Sequence, residues 1–125
     1  MVILERRPWM NIDTRTIGFE LTPALAERVD TQVRSALSVV AEHVVHVTVR
    51  LDDVNGDHGG VDQRCRIVAT LARHGAAVAA VTSTDLYASI DEAARRLRRS
   101  AQRSVTRHLG RERKDPQRPG ALVQP

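Results

Sequence analysis

The sequence predicts an α+β fold, a two-layer β-α-β-β-β-α sandwich in which a four-stranded mixed sheet carries both helices on one face. Three observations predict it. Two segments, near 22–41 and 84–110, repeat apolar residues at helical spacing. The segments around and between them are short, alternating or apolar, and separated by turn residues. The chain has 125 residues and is 42% hydrophobic, enough for one domain with a modest core.

Residues 1–9 (MVILERRPW) read as an N-terminal extension, and 10–16 (MNIDTRT) as a short first strand. Thr22-Pro23 opens the first helix, because threonine is a good cap and proline at the first helical position has no N–H to leave unpaired. Leu25, Val29, Val33, Ala36, Leu37 and Val40 form its apolar stripe, which predicts a helix to about Ala41. In the second strand Val45, Val47, Val49 and Leu51 alternate with His46, Thr48, Arg50 and Asp52. Asn55-Gly56-Asp57 and Gly59-Gly60 mark a loop. The third strand points Cys65, Ile67, Ala69 and Leu71 one way and Arg64, Arg66, Val68 and Thr70 the other. His74-Gly75 is a turn, and the small-residue run 76–82 (AAVAAVT) reads as a fourth strand by its length. Ser83-Thr84-Asp85 caps the last helix, whose stripe is Leu86, Ile90, Ala94, Leu97, Ala101 and Val105. Gly110 is its expected stop. Domain boundaries follow at 10–110, with 111–125 (RERKDPQRPGALVQP) a flexible basic, proline-rich tail. A β-α-β connection crosses over right-handedly, so the first two strands are expected parallel and the rest an antiparallel meander. One apolar face per strand leaves the other side of the sheet open.

Several function classes are excluded. No apolar run approaches the ~18 residues of a membrane span. Cys65 is the single cysteine, so there is no intramolecular disulfide or multi-cysteine metal site, and its place on an apolar strand face makes it a core residue. Arg6 and Arg7 precede no apolar signal core, and a cytoplasmic protein is expected. His43 and His46, and the scattered His58, His74 and His108, lack metal-site spacing with carboxylates. Asp52, Asp53 and Asp57 read as a solvated turn, and Gly59-Gly60 precedes no helix and is no phosphate loop. With no nucleophile–base pair, no enzyme, cofactor, metal or small-molecule substrate is expected.

The net charge of +4 conceals a split. Residues 1–94 hold 9 basic and 13 acidic side chains, a net −4, whereas 95–118 hold 10 basic and 2 acidic, a net +8. One cationic segment on a near-neutral body is the footprint of a polyanion partner. At about 100° per residue, Arg96, Arg99, Arg103 and Arg107 fall on one stripe roughly 80° wide, beside the apolar face, and roughly 16 Å long. Arg95 and Arg98 widen it. The fork of a guanidinium suits phosphate. The open sheet face adds Arg15, Arg50, Arg64 and Arg66. Trp9, Phe19 and Tyr87 are the only aromatics, so backbone and shape contact with structured RNA fits better than stacking of single-stranded bases.

Three linked segments carry a family resemblance across residues 10–108. Ile17-Gly18-Phe19-Glu20-Leu21-Thr22-Pro23-Ala24-Leu25 resembles the entry to helix one of the ribosome hibernation promoting factor / ribosome-associated inhibitor (sigma-54 modulation protein) family, in its short form. Val45-His46-Val47-Thr48-Val49-Arg50-Leu51 resembles its second strand, and Thr84-Asp85-Leu86-Tyr87-Ala88-Ser89-Ile90-Asp91 the opening of its second helix. The loop Asn55 to Arg66 is similar to that of a subgroup with a longer connection. The resemblance implies a fold similar to double-stranded-RNA-binding domains. It implies binding to the small ribosomal subunit in the channel between head and body, and silencing of ribosomes under stress. It assigns ribosomal RNA contacts to Arg96, Arg99, Arg103 and Arg107. Long members carry a dimerising C-terminal domain, which is not expected here, and the basic tail departs from the acidic tail of some short members. The RNA-binding set expected here is therefore Arg96, Arg99, Arg103, Arg107, Arg95, Arg98, Arg64 and Arg66, in a monomer. Two alternatives share these residues: a general structured-RNA binder, and a protein-interaction modulator of the transcription machinery. Tyr87 is open between packing and a contact to RNA.

Overall fold

The computed structural model describes residues 10–54 and 62–114, with side chains as far as Arg107. The extension 1–9, the glycine-rich loop over 55–61 and residues 115–125 of the tail lie outside the described residues.

The elements run β1 (Ile12–Ile17), α1 (Pro23–Leu37), a 3-10 segment (Ser38–His43), β2 (Val44–Asp53), β3 (Gln63–Leu71), β4 (Gly75–Ser83) and α2 (Leu86–Lys114). The sheet order is β1-β2-β3-β4, with β1 and β2 parallel and the other pairs antiparallel. Both helices pack on one face of the sheet and against each other. The core between them is built from Val29, Val33 and Leu37 of α1, Val47, Val49 and Leu51 of β2, Cys65, Ile67 and Ala69 of β3, and Ile90, Leu97 and Ala101 of α2. This is the expected α+β sandwich, and the alternation read along β3 matches its burial residue by residue.

The first strand runs Ile12–Ile17 rather than over 10–16, and three further features differ from expectation. The first helix stops at Leu37, and its expected last turn is a 3-10 segment bent at Val40 (φ −128°, ψ 24°). The β-branched pair Val39-Val40 is a weak helix former, and the Ser38 hydroxyl bonds back to the Ser35 carbonyl at 2.7 Å. Val45 is 54% exposed, not core, because a register shift lies between Val44 and His46. The extra residue moves the first inward position to Val44, and the predicted phase resumes at Val47. Finally, α2 runs through Gly110 to Lys114. One glycine costs a helix only about 1 kcal/mol, and its neighbours Arg111, Glu112, Arg113 and Lys114 are good helix formers.

Candidate nucleic-acid interface

α2 is fixed to the sheet at two levels. The Asp85 carboxylate caps it, accepting the Tyr87 N–H at 3.0 Å, and the Ser83 hydroxyl accepts the Asp85 N–H at 3.2 Å. The buried Ser89 hydroxyl donates to the Gln63 carbonyl at the start of β3 (2.8 Å), and the Ser104 hydroxyl donates to the His74 carbonyl in the β3–β4 turn (3.0 Å). Ile90, Ala93, Leu97, Ala101 and Val105 fill the space between these tethers. The side of α2 toward α1 is held by Asp91, which accepts from Arg28 at 3.0 and 2.9 Å and from Gln32 at 3.0 Å. The Arg28 hydrogen bonds, with its charge and the Gln32 amide, hold the Asp91 carboxyl below the usual carboxylate range.

With that face docked, Arg95, Arg96, Arg98, Arg99, Arg103 and Arg107 all project into solvent. They are not equivalent. Glu92 accepts from both Arg95 and Arg96, the latter at 3.2 Å, and these two donors hold its carboxyl low. Arg98, Arg99, Arg103 and Arg107 have no ion-pair partner among the described residues. The stripe read from the wheel is therefore present as a surface, and its available charge is concentrated in its C-terminal part.

The opposite face of the sheet is bare of helices. There β-register sets Arg15 of β1 beside Arg50 of β2, and Arg50 beside Arg66 of β3. One rung along, Arg64 is opposite Asp52 and binds it with two bonds, at 3.2 and 2.8 Å. These two bonds tie the Arg64 guanidinium to the sheet and raise its pKa, with 40% of its side chain still exposed. Asp52 lies in the sheet with 6% of its surface exposed, which leaves Arg64 as its close counter-charge and Arg50 at 3.7 Å.

Sequence reading missed these acidic partners. The i,i+3 and i,i+4 spacing of Glu92 with Arg95 and Arg96 was a visible signal. The Asp52–Arg64 bond needs strand register, and Arg28–Asp91 joins residues 63 apart in sequence. Tyr87 is 38% exposed, and the Arg28 guanidinium lies 5.3 Å from its ring centroid. His43 and His74, distant in sequence, meet edge to face with ring centroids 4.8 Å apart. Burial, with the nearby Asp52 charge, pushes the Cys65 thiol up to about 12, so it stays an unreactive thiol packed in the core. Among the described residues, no group of three or more His, Cys, Asp or Glu could hold a metal ion, and no helix is long and apolar enough to cross a membrane.

Among the described residues the chain is a small α+β sandwich with cationic surface on both layers. Residues 12–109 match the family described as sigma 54 modulation protein / S30EA ribosomal protein, and the chain belongs to that family. Among solved structures it is similar to the Thermus thermophilus Protein Y N-terminal domain, with 25% identity and a TM-score of 0.64 over 75% of this chain and 98% of that one. It shares its fold with a ribosomal subunit interface protein from Coxiella burnetii, with 14% identity and a TM-score of 0.65 over 77% of this chain and 99% of that one. No curated protein sequence matches the chain.

Proposed function

We propose that this protein binds ribosomal RNA of the small subunit near the decoding channel and silences the ribosome as a hibernation factor. One observation carries the reading: in a chain of the S30EA ribosomal protein family, α2 is docked by its apolar side and turns Arg98, Arg99, Arg103 and Arg107 outward with no described carboxylate to neutralise them. Guanidinium groups so placed meet phosphate oxygens without first giving up an ion pair among the described residues. The contact is to backbone and shape, and it blocks a site by occupancy rather than by catalysis. The protein acts as a cytoplasmic monomer.

Such binding releases counterions, so affinity falls steeply with salt, with a log–log slope of at least about −3 for four phosphate contacts. The test is co-sedimentation with isolated small subunits at two salt concentrations, comparing wild type with a variant carrying Arg96, Arg99, Arg103 and Arg107 changed to Glu. The variant is expected to stay in the supernatant. Sedimentation equal to wild type would refute the helix contact. Competition by bulk transfer RNA at equal mass would favour a general structured-RNA binder instead. The family description also names sigma 54 modulation, which supports a second reading as a modulator of the transcription machinery. A pull-down that returns polymerase subunits without ribosomal proteins would favour it.

A further inference from the structure

We infer that the open face of the sheet is a second contact for the RNA backbone, centred on the cross-strand row Arg15–Arg50–Arg66, so that the chain holds RNA on both of its layers. The inference rests on the reading of the chain as an RNA binder and extends it to a surface on the far side of the sandwich from α2.

The row is set by the hydrogen-bond register, which places these three residues on adjacent strands of one face. Neighbouring strands lie about 4.8 Å apart, so the row is about 10 Å long, comparable with about two phosphate-to-phosphate steps of a nucleic-acid strand. Like charges directly opposite each other destabilise a sheet. The acids on this face relieve the row only at its margins. Asp13 reaches Arg15 at 3.3 Å, with 74% of the arginine side chain still exposed. Asp52 lies 3.7 Å from Arg50, but both of its oxygens already accept from Arg64. Arg66 has no ion-pair partner among the described residues. An external anion completes what the sheet leaves unbalanced.

The surroundings select the kind of anion. Thr48, Val68 and Ile17 floor a groove beside the arginines, and Ile17 is 47% exposed. A free nucleotide is normally enclosed over most of its surface. Here the Arg15 and Arg50 side chains beside the groove are 74% and 53% exposed. A strand laid across the sheet meets the guanidiniums with successive phosphates and rests sugar on the apolar floor. Two cationic layers on opposite sides make the domain a wedge between backbone segments rather than a cap on one.

The test compares two variants, separately and combined, for binding to isolated small subunits and to an RNA duplex of about 16 base pairs. One is Arg15→Gln/Arg50→Gln/Arg66→Gln; the other is the α2 charge reversal. The sheet variant is expected to lose about 10- to 100-fold in affinity for small subunits and to flatten the salt slope by about 2 to 3, with Tm unchanged or raised as the like charges are relieved. Arg66→Gln alone breaks no described ion pair and is expected to flatten the slope by about 1 at unchanged Tm, which keeps the inference testable if the triple variant unfolds. Affinity within twofold of wild type and an unchanged slope in both sheet variants would overturn it, even if the α2 variant abolishes binding. If wild type ignores small subunits but binds the duplex through the row, the ribosomal reading fails and the sheet contact stands. Micromolar binding of guanosine monophosphate to this face, with RNA affinity unaffected by the row, would make it a nucleotide site and overturn the inference.

Discussion

The two halves of α2 share one apolar stripe and differ in what happens to their charge. In the first half Asp91 and Glu92 take up Arg28, Arg95 and Arg96. The second half has no acidic residue from Arg98 through Arg111, and Arg98, Arg99, Arg103 and Arg107 face solvent without a described partner. The first half therefore serves the fold, joining α2 to α1 and bracing its own surface. The second half keeps its charge free for the partner proposed above. Counting arginines treats the halves alike, while the ion pairs separate them: charge density is a property of composition, and charge available to a ligand is a property of geometry.

The largest effect would come from removing what the halves have in common. Leu97 is fully buried at their junction. Leu97→Ala is expected to destabilise the fold by about 2–5 kcal/mol, through lost burial and the cavity left behind. Urea unfolding checks this, as a lower midpoint at unchanged m. A loss below about 1 kcal/mol would mean that the stripe does not anchor α2 as one unit.

The sharpest test of the contrast sets charge neutralisations against each other. Arg99→Gln/Arg103→Gln/Arg107→Gln is expected to flatten the salt slope for small-subunit binding by about 2 to 3, at 0.7–0.9 per phosphate contact. Arg95→Gln/Arg96→Gln is expected to change it by less than 1, because Glu92 already neutralises part of that pair. Equal flattening per arginine removed would erase the distinction between the halves.

A smaller change runs in the opposite direction. Glu92→Gln releases two guanidiniums without adding a residue to the interface. Affinity for small subunits is expected to rise about two- to fivefold, with the slope steeper by about 1. A fall in affinity would show that Glu92 orients Arg95 and Arg96 for contact rather than withholding them.

The fold was legible because each element carries a period, a cap or a turn residue of its own. Thr22-Pro23 starts α1 and Asp85 caps α2, and both follow from local chemistry. The misses lie where a local rule met tertiary geometry. Val45 continues a perfect alternation and is still expelled, because pairing with β3 shifts by one residue. Gly110 is a good stop signal, but the helix formers around it carry α2 further. The arginine stripe was readable from spacing alone. Its division into tied and untied charge was only half readable: Glu92 lies within a turn of its partners, whereas Asp52 finds Arg64 only once register is known. The row Arg15–Arg50–Arg66 likewise exists only after three strands are aligned.

The smallest effect tests the structural half of α2 on its own terms. Asp91 joins the helices through Arg28 and Gln32, and Arg28 foremost holds its carboxyl below the ordinary value of 3.8. A group with a depressed folded pKa binds its proton less readily when folded, so the unfolded chain takes up more protons and stability rises with pH across that interval. The contribution is complete above the unfolded value and is lost as pH falls through the folded one. Asp91→Asn removes it. The variant is expected to melt about 2–4 °C below wild type at neutral pH, the size of a partly exposed ion pair in a domain of this length. The gap should hold constant down to about pH 5, narrow below about pH 4, and close at lower pH. RNA affinity should stay within about twofold of wild type, because Asp91 faces α1 rather than the stripe. A gap that widens on acidification, or a loss of binding as large as that of the Arg99, Arg103 and Arg107 variant, would assign the first half of α2 to the partner as well.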